Sequence, residues 1–336
     1  MIFLTLLTHI YKIYTVMGKR LEKVKETIHN DMPKTRKGKI LGIVFAVVTP
    51  ITLGVGAGII FSKFFVAKTT DYSGLDANSL YINMDTVLAK YQDATKSNTP
   101  VEEALASYEI VNLAYHNYAQ YENSKSTTIG SAVAAIVDQS IRGCSIREGD
   151  KYFEESLSKS NMVGVASRMY QNPDDNIELH IGNPIDATTA TWGNEHYEYT
   201  YEEFTEEFGK TPSTPLIYIV SKKTVIADSD TIEKNDDGYV ISMSLNPKKS
   251  VINYVKQMKS ISNLYDYPAF TEVNLTFHIS NDLVIKRMDI NESYYALKEA
   301  NLGADTTANV KVYYEVDGDF KIPTLDEAIE YPEEVK

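Results

Sequence analysis

Residues 40–62 carry no charged side chain across 23 consecutive positions, and no other feature constrains the chain as much. At about 1.5 Å per residue, a helix of that length covers the roughly 30 Å hydrocarbon core of a bilayer. Helices buried in protein cores seldom run so far without a polar face. The sequence therefore predicts a membrane-spanning helix. It is kinked at Pro50, whose missing backbone donor lipid-embedded helices tolerate. Gly54 and Gly58 form one GxxxG match, a place for a helix-mediated dimer.

Charge divides at the same point. Residues 1–39 are net +6 and residues 69–336 net −21. Lys34, Arg36, Lys37 and Lys39 abut the N-terminal edge of the run. The positive-inside rule then predicts a single-pass protein of the cell membrane, with a cytoplasmic N-terminus and an extracytoplasmic C-terminal domain. The basic stretch also suits anionic headgroups, so the bilayer is an expected partner. The cleavage-like Phe65-Val66-Ala67 has a bulky first residue, which favours an uncleaved anchor. Residues 1–16 are too short to span, and Met17 reads as a more natural start. The lone cysteine, Cys144, excludes an intramolecular disulfide, a cysteine-cluster metal site and a lipoprotein anchor.

The predicted organisation is a basic segment 1–39, a transmembrane helix 40–62, a linker 63–83, an extracytoplasmic α+β domain 84–320 and an acidic, frayed tail 321–336. In the body, a short helix is expected over Asp85–Asp93. Thr99-Pro100-Val101-Glu102 reads as a helix start, with Val101, Leu105, Tyr108, Val111, Tyr115 and Tyr118 at helical spacing up to Glu122. Strands are expected over Thr127–Ile146, Lys151–Leu157 and Met162–Tyr170, closed by a turn at Asn172–Asp175. Thr200–Glu203 is a second capping box, opening a helix ended by Gly209 and Pro212. Leu216–Ser221, Thr224–Ala227 and Tyr239–Leu245 read as strands, and Asn246-Pro247 opens a helix through Met258. The last third alternates cleanly. Val273, Leu275, Phe277 and Ile279 share one face, and so do Val310, Val312, Tyr314 and Val316, as in an antiparallel sheet with one buried side. The fold class expected is α+β: a membrane helix followed by a curved antiparallel sheet with helices on one face.

This order of elements resembles lipoprotein carriers of the LolA/LolB and mycobacterial type. The segments YVISMSLNPKKSVINYVKQM (239–258) and PAFTEVNLTFHISNDLVIKRMDINESY (268–294) also look like uncharacterised membrane-anchored bacterial proteins. The resemblance covers about residues 84–316 and rests on topology. It implies a half-barrel around an apolar cavity that binds an acyl or other apolar ligand. The candidate lining is Val273, Leu275, Phe277, Ile279, Val310, Val312 and Tyr314, which would equally suit a filled core.

Catalytic signatures are few. HExxH, GxSxG, the P-loop and GxGxxG are absent, so no enzymatic activity and no cofactor are expected. Ser156-Leu-Ser-Lys159 matches SxxK without its KTG companion and reads as a solvated strand edge. The acids from Asp228 to Asp237 lack EF-hand order and read as a hairpin loop, as does Asp317-Gly318-Asp319. Glu195-His196-x-Glu198 has ligand-type residues but no helical histidine pair nearby, so no metal is expected. His116 is expected to face solvent or cap a neighbour. Tyr197, Tyr199 and Tyr201 alternate with acids. Either they pack in a sheet, or they form a surface for a protein or glycan, which is the alternative function. The acidic body excludes nucleic acid.

Overall fold

The computed structural model describes residues 70–332, apart from 73, 135–136, 161–163, 172–175, 209–215, 263–265, 300–301 and 325–326. One antiparallel sheet of eleven strands dominates it, in the order β6-β5-β4-β3-β2-β1-β11-β10-β9-β8-β7. The strands are β1 (Asn123–Ala134), β2 (Val137–Glu148), β3 (Lys151–Ser160), β4 (Gly164–Gln171), β5 (Asn176–Pro184) and β6 (Ala190–Thr200). They continue with β7 (Thr231–Asn235), β8 (Gly238–Ser244), β9 (Ala269–Ser280), β10 (Ile285–Glu299) and β11 (Leu302–Val316). Every step but one joins neighbours in sequence. The exception pairs β1 with β11, Ser124 facing Val316, and so joins two meanders into one sheet.

Helices α1 (Met84–Ser97), α2 (Val101–Ala104) and α3 (Ser107–Ala119) precede the sheet. Helix α4 (Tyr201–Phe208) follows β6, and α5 (Pro247–Ser250) and α6 (Ile252–Ser262) join β8 to β9. Local chemistry accounts for their starts. Asn83 and Asn246 cap α1 and α5 through their side-chain oxygens. At Thr200 both halves of the capping box form, Glu203 N–H to Thr200 Oγ1 (3.2 Å) and Thr200 N–H to Glu203 Oε2 (3.0 Å). The single helix expected from Pro100 to Glu122 is split instead. Leu105 turns extended and drops into the core, and Glu109 accepts from the Ala106 N–H (3.0 Å) to start α3.

The sheet curls. Helix α4 packs on β5 and β6, yet it also packs on α6, which belongs to β8 and β9 at the far side. Eight strand steps separate β6 from β9, about 38 Å along a flat sheet. The contact requires the sheet to bend around its helices, although β6 and β7 do not pair and the sheet stays open. The helices occupy the concave face. There Val87, Ile110, Val111, Leu113, Tyr115, Tyr254, Val255 and Met258 join the inward residues of β8 to β11 in one core.

The expected architecture is corrected in two parts. The α+β body gives way to a mainly β one, with strand residues outnumbering helical ones about two to one among the described residues. And no helix among the described residues is long and apolar enough to cross a membrane; residues 40–62, where the sequence places a span, lie outside them. Strands β5, β6 and β7 were hidden because their segments are polar and rich in turn formers. The 127–146 strand is two, β1 and β2. Residues 217–220 are buried but form no ladder, and Val225 makes only an isolated bridge to Leu245. After β11 the chain bends at Asp317-Gly318 without the hairpin turn expected there, and the tail is not frayed. Phe320, Ile322, Ile329 and Tyr331 pack against Cys144, Ile146, Phe153 and Tyr170 on the convex face of β2 to β4. Arg168, ion-paired with Glu155, donates to the main-chain carbonyls of Thr324 (3.4 Å) and Glu327 (2.7 Å). The turn at 172–175 and the helix end at 209–212 lie outside the described residues. Tyr72 and Leu80, placed in the linker, are buried in the core, and the Tyr72 hydroxyl donates to the Pro268 carbonyl (3.0 Å).

The acidic stretch 228–237 does form a hairpin, β7–β8, closed at Asn235–Gly238. Gly238 has φ +136°, and a Cβ there would lie 2.1 Å from the Ile279 carbonyl oxygen. Gly238→Ala is expected to cost about 1–3 kcal/mol through this strain and close approach, read as a lower urea midpoint at unchanged slope.

Candidate functional site

The seven sequence candidates come together on the concave face. Val273, Leu275, Phe277 and Ile279 point inward from β9, and Val310, Val312 and Tyr314 from β11. All are buried and belong to the same core. Tyr115 of α3 fills the space above them. It stands edge-on to Phe277 and Tyr314, and its hydroxyl lies 3.0 Å from that of Tyr314. This half of the concave face is covered by protein.

The other half has a different chemistry. Inward positions of β1 are Ser126, Thr128, Gly130 and Ala132. Those of β2 include Gly143 and Ser145, those of β3 Ser156, Ser158 and Ser160, and β4 adds Ser167; Ile141, Arg147, Tyr152, Glu154 and Met169 share the same face at the margins. Small side chains thus pave the middle of four adjacent strands. Their polar atoms are used sideways, within the sheet. Ser126 Oγ meets Ser145 Oγ at 2.7 Å, the Gln139 amide donates to Ser158 Oγ, and the Tyr152 hydroxyl donates to Glu154 Oε2 at 2.8 Å. The result is a low floor whose hydrogen bonding is largely closed. It ends at Gln139, whose Oε1 is buried with no partner among the described residues.

Within the packed half lies a buried acid. Glu292 on β10 follows Met288 and Ile290 in the inward phase. The Tyr218 hydroxyl donates to its Oε2 (2.6 Å) and the Tyr254 hydroxyl to its Oε1 (3.2 Å). Tyr254, Phe270 and Tyr294 stack in series around it, with centroids 5.3 and 5.0 Å apart. Loss of hydration pushes the Glu292 carboxyl up to about 8, against the opposing pull of the two tyrosine hydrogen bonds. Burial also raises the hydroxyls of Tyr218 and Tyr254, so the cluster is neutral at pH 7. Sequence reasoning missed Glu292. The available signal was a charged residue at an apolar phase of an alternating strand.

The remaining candidates are dispersed. Ser156 and Lys159 are three apart on a strand and so face opposite sides. Ser156 is buried inward, and Lys159 Nζ donates to the Pro184 carbonyl on the other face (3.1 Å). No Ser–Lys dyad forms, and β3 is an interior strand, not the solvated edge expected. Tyr197 and Tyr199 are buried inward from β6, while Glu198 between them is exposed, so the tyrosines and acids occupy opposite faces. His196 stacks on His180 of β5 (5.3 Å), and His180 Nε2 lies 2.6 Å from Glu178. No group of three or more metal-type ligands occurs among the described residues. The convex face carries a depression of about 340 Å³ over β1, β11 and β10, lined by Ser131, Asn291, Asn309 and Lys311 among others.

No family model and no curated protein matches the chain. Among solved structures, a DUF1329 family protein from Desulfovibrio piger is similar over 64% of this chain and 93% of its own, at 10% identity and a TM-score of 0.23. A structure from the de novo design of transmembrane β-barrels is similar over 58% of this chain and 98% of its own, at 5% identity and a TM-score of 0.17. Likenesses at these TM-scores carry no argument for fold or activity, and the site stands on its own geometry.

Proposed function

We propose that this chain is a non-catalytic binding protein that holds an apolar or amphiphilic ligand in a half-barrel, against the floor of small side chains on β1 to β4. One observation carries this reading: the middle of the floor presents small side chains to the interior, while Ser126 bonds Ser145 and Ser158 is bonded by the Gln139 amide within the sheet. Such a surface accepts an alkyl chain without stranding polar groups. The unpaired Gln139 carbonyl at its end offers an acceptor for the polar end of the ligand. The packed half, with Val273 to Ile279 and Val310 to Tyr314, serves as the wall behind the ligand. The basic first 39 residues beside an acidic body support work at an anionic lipid surface, with the body extracytoplasmic.

Native mass spectrometry of the full chain, purified in mild detergent, should show a co-purified lipid. Ser156→Trp, which raises a bulky ring from the middle of the floor, should weaken binding of a fluorescent fatty acid at least about tenfold, or 1.4 kcal/mol. A fatty acid bound with equal affinity by wild type and Ser156→Trp, or by neither, would overturn the reading. A second reading, a surface module for protein or glycan, is favoured by the polar convex depression at Asn291 and Asn309. Cross-linking in intact membranes to one partner, with no lipid retained, would select it.

A further inference from the structure

Gln139 Oε1 is not the only orphan on the concave face. The hydroxyls of Tyr294 on β10 and Thr306 on β11 are also buried and make no hydrogen bond of ordinary geometry among the described residues. All three residues are 2% exposed or less. Strand register gathers them around one patch. Glu292, Ala308, Ala132 and Gln139 stand side by side across β10, β11, β1 and β2, and Tyr294, Thr306 and Ala134 form the next rung. Residues paired across strands share a face, and Tyr294, Ala132 and Ala308 belong to the concave core, so both rungs face the concave interior. Ala132, Ala134 and Ala308 leave a methyl-lined gap where the packed half meets the floor. Tyr294 bounds it on one side and Gln139 on the other, three strand steps or about 14 Å apart at the backbone. Tyr294 and Thr306 face each other, yet a bond between them would still leave one hydroxyl donor unmade. Each unmade buried group costs about 1–3 kcal/mol, so three on two adjacent rungs mark a place that something else completes.

We infer that this patch takes the head of the bound amphiphile, and that the head is an uncharged polyol, as in a monoacylglycerol. The inference rests on the lipid-binding reading and names the class of lipid. Gln139 Oε1 can only accept, so the head must bring a donor. The Tyr294 and Thr306 hydroxyls can donate, so it must bring acceptors as well. Adjacent hydroxyls and an ester carbonyl supply both within one small group. An anionic head does not fit. Neither rung carries a Lys or Arg, Glu292 stands beside the gap, and an unpaired phosphate or carboxylate is costly at a dry site. An ammonium head fares no better, because Tyr218 and Tyr254 already occupy both Glu292 oxygens. From Gln139 the inward positions of β2 continue through Ile141 and Gly143 to Ser145, about 20 Å along the strand, a track for the acyl chain.

The test compares three lipids that share one oleoyl chain: monoolein, oleate and methyl oleate. Each is titrated against a fluorescent fatty acid on the full chain in mild detergent. Monoolein is expected to bind at least about tenfold tighter than the other two. Gln139→Leu removes the acceptor and Thr306→Val the hydroxyl, both at nearly constant shape. Each should abolish the preference for monoolein while methyl oleate affinity stays within about twofold. Methyl oleate therefore reports whether a variant is folded, and if one variant misfolds, the other and the wild-type series decide. Equal affinities in the wild type, or a preference for oleate, overturn the inference and leave the lipid-binding reading standing. So does a preference for monoolein that persists in either folded variant. Failure of all three lipids to bind the wild type overturns that reading and the inference with it.

Discussion

Glu292→Gln is expected to gain on the wild type by about 5 kcal/mol of folding stability between pH 4 and pH 9. The carboxyl stands at about 8 in the folded chain against an ordinary 4.5. Below pH 4.5 both states are protonated, and the buried acid costs nothing in charge. From 4.5 to 8 the unfolded chain releases its proton and the folded chain does not, so stability falls as pH rises. Above 8 both states are ionised and the loss is complete. A displacement of about 3.5 pH units at 1.36 kcal/mol each gives the figure. Glutamine keeps the shape and a partner for Tyr218 and Tyr254, and removes the titration. Urea unfolding of both proteins across this range measures it. Parallel stability curves would mean that Glu292 is hydrated or ionised in the folded chain.

The second large effect concerns Arg168. Arg168→Ala leaves Glu155 buried without its countercharge and is expected to cost about 3–5 kcal/mol. Replacing both members, as Arg168→Met with Glu155→Leu, should cost less than the single change, because no uncompensated charge remains. The tail supplies a second readout. In the wild type, burial pushes the Cys144 thiol up to about 12, so it should resist alkylation at pH 8. Loosening the tail in Arg168→Ala should expose it and raise its alkylation rate at least about tenfold. Equal destabilisation by the single and double changes would show that an uncompensated buried charge is not what Arg168→Ala costs.

The clearest strands in the sequence were those with one wet face. In β9 and β11 the buried and solvated positions alternate, and the period of two is visible directly. Capping at Thr200 and Asn246 was equally plain, since it depends on residues within one turn. Strand β3 was read short because both its faces are buried and its inward residues beyond Leu157 are Ser158 and Ser160, a type common in loops. Glu292 and Arg168 were invisible for a related reason. A charged residue reads as solvated until the strands and tail that enclose it are known.

The sequence by itself determined faces and caps: which side chains of β9 and of β11 point together, the helix starts at Thr200 and Asn246, and that a basic N-terminal segment precedes an acidic body. Those properties depend on neighbours a few positions away. Tertiary structure alone decided what each face meets. Pairing of β1 with β11 joins Ser124 to Val316, 192 residues apart, and curls two meanders into one sheet. Tyrosines from distant segments dehydrate Glu292, and residues at the far end of the chain cover an ion pair on β3 and β4. Burial is set by what covers a residue, and the covering segments are distant in the chain.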